Sequence, residues 1–213
     1  MKFPHAHRGV KLIFIAEIIS IVVSILALIS AIFVSIGSAQ AAAATLLMVS
    51  GIVGIVVFVI QLVGLFQGAR DSREFRIALW ITLVGIIASL TYVILQNIDA
   101  TKGLSPILFA VLTTVAAVAD FLVVICVLFG ISSLADQLGD GEMSERGRRL
   151  AMYIVVIYLI SLILGFIPGF SVYVNPGIRL LFSIFFIASA VLEIAIYVCT
   201  LIYLHSAIKM LEE

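Results

Sequence analysis

Apolar residues run along this chain in six long blocks separated by short polar connections, at roughly residues 11–36, 42–67, 77–97, 107–134, 150–167 and 179–204. An α-helix needs about 20 predominantly apolar residues to cross the hydrocarbon core of a bilayer, and each block meets or approaches that length. The fifth is the shortest, ended by Pro168 and Gly169. Continuous apolarity in place of strict alternation argues against a transmembrane β-barrel. The first block is too long for the core of a signal peptide and has no small-residue cleavage site after a short core, so it is expected to be a retained helix. The pattern predicts an all-α integral membrane protein of six transmembrane helices forming one membrane domain over residues 1–213.

Composition agrees with the pattern. Of the 213 residues 64% are hydrophobic and 11% charged, and the mean hydropathy is +1.33, far from the usual balance of a soluble domain. The 12 Lys and Arg cancel the 12 Asp and Glu, which leaves no electrostatic footprint for nucleic acid. Placement says more than the sum. Lys2, Arg8, Lys11, Arg70, Arg73, Arg76, Arg146, Arg148, Arg149 and Lys209 flank the blocks on one side, and Lys102 and Arg179 on the other. Basic flanks face the cytoplasm, so a multi-pass protein of the cell inner (plasma) membrane with both termini cytoplasmic is expected. The outward connections, "SIGSAQAAAA", "NIDATKGLSP" and "PGFSVYVNPG", are too short to fold as domains. With no ATP-binding or receptor module, energy or signal must come from a gradient, a ligand within the bundle or a partner membrane subunit.

Three blocks open on the same basic spacing: "RGVKL" at Arg8, "REFRI" at Arg73 and "RGRRL" at Arg146. A step of 73 residues from the second to the third carries "DFLVVIC" onto "EIAIYVC", so that Asp120 coincides with Glu193 and Cys126 with Cys199. The first hairpin fits less well and places Val57 where the others carry acids. These matches predict three parallel two-helix hairpin repeats, 8–71, 73–140 and 146–213, about a pseudo-threefold axis along the membrane normal. Unrelated helices obeying common membrane rules are the alternative.

Small or polar residues recur at helical spacing in every block: Glu17, Ser20, Ser24, Ala27 and Ala31 in the first, Gly54, Gln61 and the GxxxG of Gly64 and Gly68 in the second, Ala78, Thr82, Gly85, Ser89, Tyr92 and Gln96 in the third. Thr113, Ala117 and Asp120 mark the fourth, Ala151, Tyr158, Ser161 and Gly165 the fifth, and Ser183, Ala190, Glu193 and Tyr197 the sixth. Such stripes are expected to face one another, because close backbone approach and side-chain hydrogen bonds hold helices together in lipid. Cys126 and Cys199 are expected to be reduced, buried and small-hydrophobe-like.

Asp120 and Glu193 are the exceptional positions. An ionised side chain at mid-membrane costs at least about 2.5–3.5 kcal/mol, and neither acid has a basic residue within reach on its own helix; Arg179 lies about 21 Å of helix from Glu193. Each is stable there as the neutral acid or with a cation in place of the proton. Tyr197, one turn beyond Glu193, and Glu17, about two turns inside the first block, complete the candidate ligand or ion site. The structural alternative is that neutral carboxyls donate interhelical hydrogen bonds.

Enzymatic constellations are absent from the sequence. There is no HExxH and only three histidines, none inside a block's middle. "FGISSLADQLGDGE" lacks the strand–turn–helix setting of a hydrolase nucleophile, and Asp136, Asp140, Glu142 and Glu145 match no Ca²⁺ loop; together with Ser144 they suit the N-terminus of the fifth helix. The Pro-x-Asp/Glu-x-x-Lys/Arg signature of mitochondrial carriers, also built from three hairpins, is missing. No metal or cofactor is expected, and no enzymatic activity. The expectation is a transporter of a small solute, proton or cation, or the membrane subunit of an importer, with an acid-lined midplane site. The rival is a scaffold or assembly factor without a substrate.

Overall fold

Three of the four prolines, Pro4, Pro106 and Pro176, stand at the first residue of a helix, where the missing N–H would have had no intrahelical acceptor and the fixed φ favours the first turn. A computed structural model describes the backbone of residues 2–36, 40–99, 106–166 and 176–212, and side chains at 2–26, 29–30, 44–96, 107–160, 191–192 and 194–212. Among the described residues it is all-helical, with six helices: α1 Pro4–Ile36, α2 Gln40–Gly68, α3 Arg73–Asp99, α4 Pro106–Leu138, α5 Gly141–Phe166 and α6 Pro176–Glu212.

Five stretches are long and apolar enough to cross a membrane: Pro4–Leu26, Ala44–Gly68, Arg73–Gln96, Ile107–Leu138 and Ile194–Glu212. The expected fifth span, 150–167, runs through α5 beyond the described side chains. Large apolar side chains cover the outer faces, among them Ile55 at 66% and Ile107 at 73% exposure. Left to water, each would forfeit about 1.5–3 kcal/mol relative to burial; facing lipid, none does. The chain is a membrane protein.

Two compact units divide it, residues 1–127 with 207–213, and residues 128–206. In the first unit α1 and α2 pack antiparallel. The buried face of α1 carries Ala6, Val10, Ile13 and Ala16, and its neighbour presents Gly64 and Gly68, which admit close backbone approach. A β-carbon on Gly64 would stand 2.9 Å from the Gly9 carbonyl oxygen and from Cγ1 of Ile13. On Gly68 it would stand 2.8 Å from the ring of the fully buried Phe75, at the start of α3. The turn between α2 and α3 is tied to α1 as well, because Asp71 Oδ2 accepts the Ala6 N–H at 2.7 Å. That carboxylate caps the positive end of α1 from a distant segment.

Farther along, α3 meets α4 where Ala119 Cβ lies 3.1 Å from the β position of Gly85, and where the Tyr92 and Phe109 rings pack edge to face at 5.6 Å.

The second unit is organised by the turn joining α4 to α5. Gly139 has φ +85°, a conformation that costs a glycine little, and the Gly139 and Asp140 N–H groups donate to the carbonyls of Asp136 and Ala135. This is a Schellman ending. Asp140 Oδ1 then accepts the Met143 N–H at 3.0 Å and caps α5. Ser144, expected to share that role, sits a turn inside the helix and is buried.

Candidate functional site

The four residues expected at the site divide between the units: Glu17 and Asp120 lie in the first, Glu193 and Tyr197 in the second. Glu17 is half-buried on α1, and its Oε1 accepts a hydrogen bond from Gln61 Nε2 of α2 at 2.9 Å. The antiparallel register brings them level, since Glu17 lies eight residues after Gly9 and Gln61 seven before Gly68, whose backbone the β position of Gly9 meets. Both were legible as polar positions, but their pairing needed the crossing point.

Asp120 is exposed on α4, as are Thr113, Ala117 and Val124 on the same face. The expectation that this stripe packs against a neighbouring helix is corrected in that respect. A local reason is visible in Thr113, whose hydroxyl donates to the Phe109 carbonyl of its own helix at 2.6 Å and so needs no partner elsewhere. Tyr197 is half-buried on α6. The Glu193 side chain lies outside the described residues, as do Ala27, Ala31, Ser161, Gly165, Ser183 and Ala190 of the expected stripes.

Both cysteines are free; Cys126 is half-buried but Cys199 is exposed. The expectation of burial fails for Cys199 because Ile194, Val198 and Ile202 on the same stretch of α6 are exposed too, and a thiol facing lipid is as apolar a choice as one facing a core. Among the described residues no three His, Cys, Asp or Glu side chains gather as a metal site.

A polar junction in the second unit was not anticipated. Ser132 of α4 donates to the Leu128 carbonyl at 2.9 Å, which leaves the Tyr203 hydroxyl of α6 to donate to Ser132 Oγ at 3.3 Å. Both side chains are buried. Gly147 of α5 lies against this pair, and a β-carbon there would collide with both hydroxyl oxygens. The available signal was Gly147 itself: glycine inside a helix costs about 1 kcal/mol relative to alanine, which an intimate contact can repay. Gly9 occupies the same place in its Arg-Gly-x-Lys segment and also marks a close approach.

The chain matches no protein-family model, no curated protein and no solved structure. Its chemistry therefore rests on these residues alone.

Proposed function

We propose that this is a multi-pass protein of the cell inner membrane, with both termini cytoplasmic, that moves or exchanges a small solute, proton or cation, either alone or as the membrane subunit of an importer. Asp120 carries the proposal. It lies in the Ile107–Leu138 span, at least about 20 Å of helix from either end of α4, with no Lys, Arg or His anywhere in that span. A carboxylate kept at such depth costs several kcal/mol unless it is protonated or neutralised by a cation; a reversible proton or cation is the chemistry that makes use of it.

Glu193, which the 73-residue step superposes on Asp120, would serve in the same way, with Tyr197 as a hydroxyl partner and Glu17, held by Gln61, as a further acid nearer the helix start. Gly9 and Gly147, each following the first arginine of its segment and each at a close helix approach, liken the first hairpin to the third, whereas the second has Glu74 at that place.

A second reading has an observation of its own. The Glu17–Gln61 bond and the Ser132–Tyr203 bond use polar side chains to join helices, as a non-transporting scaffold or assembly factor would.

Thermal unfolding of the detergent-purified protein against Na⁺, K⁺ and a panel of small solutes separates the two. Stabilisation by one of them, lost in Asp120→Asn and Glu193→Gln, supports the transporter. Superimposable curves for all three proteins under every condition would leave the scaffold.

A further inference from the structure

Two segments of the first unit are rich in positive charge. Residues 2–11 and 70–76 hold six cations, Lys2, Arg8, Lys11, Arg70, Arg73 and Arg76, against the two acids Asp71 and Glu74. Both acids are engaged: Asp71 by the Ala6 N–H and Glu74 by the Ser72 hydroxyl at 2.6 Å. In the second unit Arg146, Arg148 and Arg149 are instead each paired, with Glu142, Asp136 and Glu145. Among the described residues Arg73 and Arg76 are exposed and make no ion pair.

Below these arginines the same helix face continues as Trp80 and Val84, at spacings of three, four and four residues. Trp80 is 65% exposed. With Ile81 it forms one wall of an open groove of about 430 Å³ between α3 and α4, lined on the other side by Val115, Val118, Ala119 and Leu122. At 1.5 Å per residue, Trp80 and Val84 lie about 6 and 12 Å deeper than Arg76. The one hydroxyl in the lining, Thr114, already donates to the Ala110 carbonyl at 2.7 Å and the walls are almost wholly apolar, so a polar occupant would find little to bond to there. Bulky Trp80 and Leu122 at the walls also suit a flexible chain better than a second helix, which packs most closely on small residues.

We propose that Arg73, Arg76 and the α3–α4 groove bind a single anionic phospholipid, its headgroup on the two guanidinium groups and an acyl chain in the groove. Two free arginines, an interfacial tryptophan and an apolar groove in that order of depth match the order of chemistry along such a lipid.

Lipid retention by the purified full chain, measured by native mass spectrometry, tests this with phosphatidylglycerol, phosphatidylcholine of the same acyl composition, and inorganic phosphate. Each arginine near an anionic headgroup is worth about fivefold in affinity, so Arg73→Gln with Arg76→Gln should weaken phosphatidylglycerol binding about 25-fold, while Arg146→Gln with Arg148→Gln leaves it unchanged. Val118→Phe, which fills the groove and spares every charge, should weaken both lipids; it reads the site independently should the double arginine variant not fold. Equal retention of the two lipids by the wild type, or unaltered phosphatidylglycerol binding in the arginine variant, would overturn the proposal. So would displacement of the lipid by inorganic phosphate combined with no effect of Val118→Phe, which describes a free-anion patch. A dimer dispersed by Val118→Phe with lipid binding unchanged would assign the groove to a partner helix and overturn it equally.

Discussion

Gly9 and Gly64 meet backbone to backbone: a β-carbon on Gly9 would stand 2.6 Å from the Gly64 carbonyl oxygen and 2.8 Å from the Gly68 amide nitrogen. Neither neighbour is a flexible side chain that can swing aside, so the α1–α2 crossing must open if either glycine gains a methyl group. Gly9→Ala and Gly64→Ala are expected to destabilise the protein by about 1–3 kcal/mol, the usual cost of overpacking. Gly54→Ala, where an added β-carbon meets nothing, should be neutral or stabilising by up to about 1 kcal/mol through helix propensity. Reversible unfolding in mixed micelles measures all three, and equal effects would mean that the crossing is looser than described.

The Tyr203–Ser132 bond carries a second expectation. Tyr203→Phe and Ser132→Ala each remove one hydroxyl from a buried contact, and interhelical hydrogen bonds in membranes couple by about 0.6 kcal/mol on average. A double-mutant cycle should return a coupling of that order. Gly147→Ala should cost more than either, because its new methyl group meets both oxygens at once. Strict additivity in the cycle would remove the junction as a stabilising contact.

Much of the architecture was legible because a bilayer leaves the backbone few options. Apolar runs long enough to span must be helical, and the blocks at 42–67, 77–97 and 107–134 reappear within α2, α3 and α4. Gly64 and Gly68 were legible as a close-packing motif, and the acids at 136–145 as helix-terminal chemistry, with Asp140 the residue that caps. Facing direction was harder. Cys199 and the Thr113–Ala117–Asp120 stripe are exposed where burial was expected, since inward and lipid-facing positions in a membrane are both filled by apolar or small residues. The candidate acids stood out through their cost alone, whereas the Glu17–Gln61 and Ser132–Tyr203 pairs depend on which helices cross and at what register.

Orientation follows from the proposed reading and is open to direct labelling. Single cysteines at Ala100 and Ser171, in a background lacking Cys126 and Cys199, should react with impermeant maleimide added outside intact cells, and one at Gly141 only after permeabilisation. Reaction at Gly141 in intact cells would invert the assignment.

The central claim is that Asp120 is a working acid and not merely a tolerated one. Flux into proteoliposomes tests it most directly, with wild type and Asp120→Asn compared for Na⁺, K⁺, protons and small solutes under imposed ion and pH gradients. Asn retains the size and hydrogen bonding of Asp and removes its exchangeable proton and charge, so the variant should insert and melt within about 1 kcal/mol of wild type. The account predicts that wild type moves at least one of these species above protein-free vesicles and that Asp120→Asn falls to the protein-free rate. Flux unchanged by the substitution, or no flux by the wild type under any gradient, would contradict it.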